Sequence, residues 1–92
     1  MGDRALDPDC LRYVAHWEPV LAAPAQRTLD LIDPAPGVLL DVGAGTGSLT
    51  LAALQRWPRT RVQALDASGA MLAVARSRTA ESDVGRVDWL PA

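Results

Sequence analysis

The sequence predicts an α/β domain built on a short parallel sheet, and three observations carry that reading. Residues 38–42, Val-Leu-Leu-Asp-Val, form an apolar run without polar alternation, the pattern of a strand buried on both faces of a parallel sheet. Three glycines, Gly43, Gly45 and Gly47, follow it directly and open a helical segment. A second apolar segment ends in an acid, Asp66, about 20 residues further on, the distance at which an acid meets a ribose in nucleotide-binding sheets.

Each element follows from local pattern. Residues 1–8 are polar and are expected to be mobile. Residues 9–22 hold apolar side chains at helical spacing, with Pro19 expected to break or kink the helix. Pro24 suits the first turn of a second helix carrying Leu29, Leu31 and Ile32. Asp33-Pro34-Ala35-Pro36-Gly37 is a stop and a turn. After the strand at 38–42 and the glycine loop, residues 48–57 read as a helix that Pro58 ends. Residues 61–66 are a second strand. Ser68 caps a third helix running to about Arg78, whose arginines suit its C-terminal dipole. Residues 79–86 are a polar loop or frayed end, and Val87 to Leu90 form a third strand. The order helix, helix, β-α-β-α-β gives parallel strands in the order 3-2-1 with helices on the faces of the sheet. Residues 1–36 are read as a helical cap and residues 37–92 as part of a ligand-binding α/β domain.

Composition narrows the function. The 92 residues carry a net charge of −2, which gives no support to nucleic-acid binding. All 9 basic residues are arginine and form no dense cluster. Cys10 is the one cysteine and His16 the one histidine. No internal disulfide or cysteine-rich metal site can be built from them, and no metal site is assigned. Cys10 reads as a small apolar residue and His16 as a surface or partly buried one. No apolar stretch approaches the ~20 residues of a membrane span, and no signal sequence opens the chain. These features fit a cytoplasmic protein with no membrane partner. Trp57 and Trp89 read as packing residues. Tyr13 and Trp17 read first as helix packing, with cover over a ligand as the alternative.

The glycine loop has a physical purpose. Gly43 and Gly45 can take backbone angles closed to other residues and let a ligand approach the main chain. Gly47 lets the following helix begin close to the strand, presenting unpaired N–H groups. The pattern is G-x-G-x-G. A dinucleotide fingerprint is G-x-G-x-x-G/A, and its third small position falls here on Ser48. The mismatch disfavours a nicotinamide oxidoreductase and favours a ligand with a ribose and a charged tail but no pyrophosphate.

With those residues in place, VLLDVGAGTGSLTLAAL resembles motif I of class I S-adenosylmethionine-dependent methyltransferases. VQALDASGAMLAVARSR resembles the segment that follows it, and residues 13–37 are similar to the N-terminal helices of small-molecule enzymes of the ubiquinone/menaquinone-biosynthesis type. The resemblance implies a partial Rossmann-like methyltransferase fold with S-adenosyl-L-methionine as cofactor and a small molecule as methyl acceptor. Gly43, Ala44, Gly45 and Gly47 would line the methionine portion. Asp41 would hold the loop and help bind the ammonium group. Asp66 would bind the ribose hydroxyls, with Ala67 and Met71 flanking the adenine and Thr46 supporting the loop from its tip. Asp41 could also simply cap the loop, a compatible role; Asp66 could be a turn residue or N-cap, and Met71 could be core. No catalytic residue is assigned. The family's sheet has seven strands, in the order three, two, one, four, five, seven, six, and this sequence supplies the first three. Strand one is therefore expected to keep an unpaired edge open to self-association, and the chain alone to bind cofactor weakly and turn over nothing. The alternative is a non-catalytic association module derived from the same fold.

Overall fold

The computed structural model describes residues 5–92, so the first four residues of the expected mobile leader lie outside it. Its elements are helix α1 (Pro8–Asp30), strand β1 (Val38–Val42), helix α2 (Ser48–Arg56), strand β2 (Arg61–Asp66), helix α3 (Gly69–Arg78), a 3₁₀ turn (Glu81–Arg86) and strand β3 (Val87–Pro91). The strands are parallel in the order β1-β2-β3. Val38 pairs with Arg61, Asp41 with Ala64, and Ala64 in turn with Trp89.

The N-terminal region is one continuous helix, not the two that the prolines suggested. Its inward stripe is Cys10, Val14, Glu18, Leu21, Ala25 and Leu29, buried or half-buried at spacings of three and four. Pro19 and Pro24 are exposed, off that stripe. The carbonyls they leave without a helical partner belong to Ala15 and Val20, both exposed residues, so the lost bonds need not end the helix. Thr28 adds a local tie, its hydroxyl donating to the Pro24 carbonyl at 2.9 Å. At the start, the Asp7 carboxylate accepts from the N–H groups of Asp9 and Cys10, a cap that holds the first turn. The segment expected to be a polar loop after α3 is a 3₁₀ turn instead. Arg86 fixes it, donating to the carbonyls of Leu54, Trp57 and Thr60 and pairing with Asp83.

The helices lie on one face of the sheet rather than on both. Successive right-handed crossovers that step the same way put their helices on the same side. The core is accordingly Leu29 of α1, Ala53 and Leu54 of α2, Leu72 and Ala75 of α3, and Val62, Ala64, Val87 and Trp89 from the sheet. Full burial of a leucine such as Leu54 contributes about 1.5–3 kcal/mol. The opposite face is bare. Val38, Leu40 and Val42 alternate outward and are 63%, 59% and 75% exposed, so β1 is not buried on both faces. Apolarity along β1 reports what the strand can bury; it does not report what covers it.

Candidate functional site

The site forms where β1 and β2 end. Gly43, Gly45 and Gly47 all take positive φ, at 74°, 59° and 89°. A Cβ on Gly43 or Gly45 would meet no protein atom within 4 Å. Glycine is needed there for backbone shape, and the space above the loop stays open. Gly47 is different. A Cβ there would lie 2.7 Å from Cη2 of Trp89 and 3.1 Å from Cβ of Ala75. The absent side chain lets α2 start directly on the sheet and on α3.

Main-chain bonds set the loop. The Ala44 N–H donates to the Leu65 carbonyl at 2.8 Å, and the Gly47 N–H to the Ala44 carbonyl at 3.0 Å. Asp66 completes the arrangement from β2. Its Oδ2 accepts from the Gly45 N–H at 2.8 Å and its Oδ1 from the Ser68 N–H at 2.8 Å. Each carboxylate oxygen has two acceptor lone pairs, so each keeps capacity for a further donor. Ser68 also caps α3 as expected, accepting from the Met71 N–H at 3.2 Å.

Asp41 is buried at the end of β1. The Thr50 hydroxyl donates to its Oδ2 at 2.6 Å. Burial pushes the Asp41 carboxyl above the ordinary carboxylate range; the Thr50 hydrogen bonds pull it partly back, and the negative charge of Asp66 adds to the rise. A cation placed beside Asp41 would reverse that rise.

A cavity of about 330 Å³ lies between the loop and α1. Asp41, Gly43, Ala44, Gly45 and Thr46 form one wall, and α1 supplies the other, including Tyr13 and Leu21. Tyr13 thus covers a cavity rather than packing in the core. Trp17 is exposed on α1, with its ring 6.4 Å from that of Tyr13 and 5.1 Å from that of His16. Of the other predicted residues, Asp66 joins the loop through Gly45, and Gly47 lies beneath it. Ala67 and Met71 follow Asp66 toward and into α3 and are not among the residues that line this cavity. Thr46 is buried, with its carbonyl accepting from Nη1 of Arg78 at 2.8 Å. Sequence reasoning missed Thr50, Glu18 and Arg78. A threonine on the first turn after a glycine loop was the one local signal, for Thr50.

Among the described residues, no group of three or more His, Cys, Asp or Glu side chains could hold a metal ion. No described helix is long and apolar enough to cross a membrane.

An open parallel sheet with a glycine loop at the carboxyl end of one strand and an acid at the end of the next defines a nucleotide-type ligand crevice of the Rossmann-like class. Residues 39–92 match the family model described as "Methyltransferase domain". The chain belongs to this family, within the class I S-adenosylmethionine-dependent methyltransferases. It is 44% identical over 57 residues to trans-aconitate 2-methyltransferase of Mycolicibacterium gilvum, covering 61% of this chain and 22% of that protein. It is 46% identical over 56 residues to the ubiquinone/menaquinone biosynthesis C-methyltransferase of Methylobacterium nodulans, covering 60% of this chain and 22% of that protein. The S-adenosylhomocysteine-bound structure of CalO1, a methyltransferase of calicheamicin biosynthesis, superposes with a TM-score of 0.70 at 30% identity, covering 87% of this chain and 24% of that one. The chain spans about a fifth of the length of these curated relatives.

Proposed function

We propose that these residues are the S-adenosyl-L-methionine-binding part of a methyltransferase that acts on a small molecule. The observation that carries the reading is the Asp66 carboxylate, fixed by Gly45 and Ser68 beside an open glycine loop with acceptor capacity to spare. A ribose diol matches it: two donors for two oxygens. Asp41 supports the other end. A buried carboxylate whose charge is disfavoured, lining a cavity, is complementary to the ammonium group of the cofactor. The loop from Gly43 to Gly47 admits the methionine portion against the main chain. Met71 and Ala67, on the first turn after Asp66, flank the adenine. Residues 1–36 act as a cap and residues 37–92 as the binding unit.

The cofactor supplies an electrophilic sulfonium methyl group when bound. The contribution of this chain to transfer is position: Asp66 fixes one end of the ligand, Asp41 the other, and α1 walls off water on one side. Holding reactants in line accounts for a large share of such a rate enhancement. No residue here is assigned the role of general base. With β1 bare along one edge and one face, the crevice stays open on the β1 side, so the 92 residues alone bind weakly and do not turn over.

Isothermal titration with S-adenosylhomocysteine tests this. The expected Kd is weaker than micromolar, and Asp66→Ala weakens it at least about tenfold, the loss of charge-assisted hydrogen bonds to a diol. Micromolar or tighter affinity in a monomer would overturn the half-open reading; equal affinity in Asp66→Ala would overturn the ribose assignment. The exposed Val38, Leu40 and Val42 favour a second reading, an association module that keeps the half-sheet. Sedimentation velocity separates the two: a stable oligomer that Leu40→Lys dissociates, without S-adenosylhomocysteine binding, supports the module.

A further inference from the structure

We propose that Glu18 and Arg78 form a polar latch that holds α1 over the glycine loop and fixes the α1 wall of the cavity between them, an inference that rests on the cofactor reading above. The latch joins four parts of the fold. Nη2 of Arg78, at the end of α3, lies 2.9 Å from Oε2 of Glu18 in the middle of α1. Nη1 of the same guanidinium donates to the Thr46 carbonyl of the loop at 2.8 Å. The Ser48 hydroxyl, at the start of α2, donates to the same Glu18 oxygen.

Three features make this a latch rather than a surface ion pair. Glu18 occupies the inward stripe of α1, where an apolar residue would otherwise pack. The guanidinium is a fork: its two arms tie the loop and the helix to each other through one rigid plane. Both partners are also partly shielded, with side chains 21% and 36% exposed. The buried apolar residues of α1 lie near its ends, Leu29 fully buried toward the C-terminus and Cys10 in the first turn. Between them, Tyr13, Leu21 and Thr28 line the cavity instead of filling a core. A ligand between α1 and the loop therefore lies beneath a helix pinned by Leu29 at one end and by Glu18 in its middle. Neither Glu18 nor Arg78 lines that cavity, so the middle pin acts on a ligand through the position of α1, the wall it holds in place. Arg78 and Glu18 are positioning residues in this scheme; neither is assigned contact with the methyl group.

Hydrogen exchange on the full 92-residue chain tests the latch, with and without millimolar S-adenosylhomocysteine. In Glu18→Gln and in Arg78→Met, amides across residues 11–22 should exchange roughly three- to tenfold faster, the range for losing a partly buried charge-assisted contact in a local opening. Amides of β2 should keep their wild-type rates. Arg78→Lys, which keeps the charge but loses the fork, should recover only part of the protection. Acceleration shared equally by β2 would mean a merely structural pair and would overturn the proposal, as would unchanged exchange in α1. With ligand, α1 of the wild type should gain protection and both neutral variants should gain less; equal gains overturn the coupling of latch to ligand. A wild type that shows no ligand effect at all refutes the cofactor reading, while the ligand-free comparison still decides whether the latch exists.

Discussion

Replacing Gly47 by alanine isolates what the glycine loop owes to contact rather than to backbone shape. At φ 89° an L-residue carries a backbone penalty of about 1–2 kcal/mol. The new Cβ would also lie 2.7 Å from Cη2 of Trp89 and 3.1 Å from Cβ of Ala75. Neither neighbour is a flexible tip: Trp89 and Ala75 are both buried core residues. Forcing a methyl group into such a site costs about 1–3 kcal/mol. The sum is about 2–5 kcal/mol. A chain of this size has a total stability of about 5–14 kcal/mol, and a sheet covered on one face belongs at the low end. Gly43→Ala is the control. It shares the positive φ, at 74°, and meets no atom within 4 Å, so its cost is the backbone part alone, about 1–2 kcal/mol. Urea unfolding followed by circular dichroism reads both. The expected order of midpoints is wild type, Gly43→Ala, then Gly47→Ala. Combining Gly47→Ala with Trp89→Leu should recover about 1 kcal/mol or more relative to additivity, because the two residues share one contact. Equal midpoints for the two glycine variants, or strict additivity with Trp89→Leu, would refute the packing argument.

Two other predictions rest on single side chains. Arg86→Met strips donors from the carbonyls of Leu54, Trp57 and Thr60 and should cost about 2–4 kcal/mol in urea unfolding, since unpaired polar groups in part-buried sites are expensive; a loss within about 0.5 kcal/mol, the size of an ordinary surface change, would show that water replaces the clamp. Asp41 has a carboxyl pKa raised in the fold, so the native state binds its proton more readily than the unfolded chain does. The penalty it imposes is present above that raised value and relieved as pH falls through it toward the ordinary carboxylate range. Wild type should therefore gain stability relative to Asp41→Asn on acidification across that window, while affinity for S-adenosylhomocysteine, whose ammonium favours the ionised carboxylate, should fall over the same window; parallel pH profiles for the two proteins would contradict the assignment.

Elements governed by local chemistry were legible in the sequence. The bounds of β2 and α3 follow from Asp66, the Ser68 cap and the arginines of the last turn, all within a few residues of the features they determine. α1 was not legible because a proline's cost depends on which way the freed carbonyl faces. Pro19 and Pro24 lie off the buried stripe, which only the assembled helix reveals. The bare face of β1 escaped for a related reason: two crossovers of the same hand send α2 and α3 to one side, whatever the apolarity of Val38, Leu40 and Val42. Within the site, the loop glycines and Asp66 announced themselves by type and spacing. Glu18 and Arg78 did not, because each finds its partner from a distant part of the chain.

The loop and the bare strand edge bear on function in different ways. Every bond that sets the loop comes from within these residues: Leu65 and Asp66 of β2 hold Ala44 and Gly45, and Thr50 of α2 holds Asp41. Its conformation therefore does not wait on anything that might cover β1, and the surface it offers a ligand is preorganised. β1, by contrast, leaves Val38, Leu40 and Val42 exposed, and the crevice of an open sheet is walled from both sides of its first strand. Recognition and enclosure are thus separable here. Substitutions at Asp41 or Asp66 should change how tightly and at what pH the ligand binds, whereas substitutions at Leu40 or Val42 should change association and leave the loop's hydrogen bonds intact.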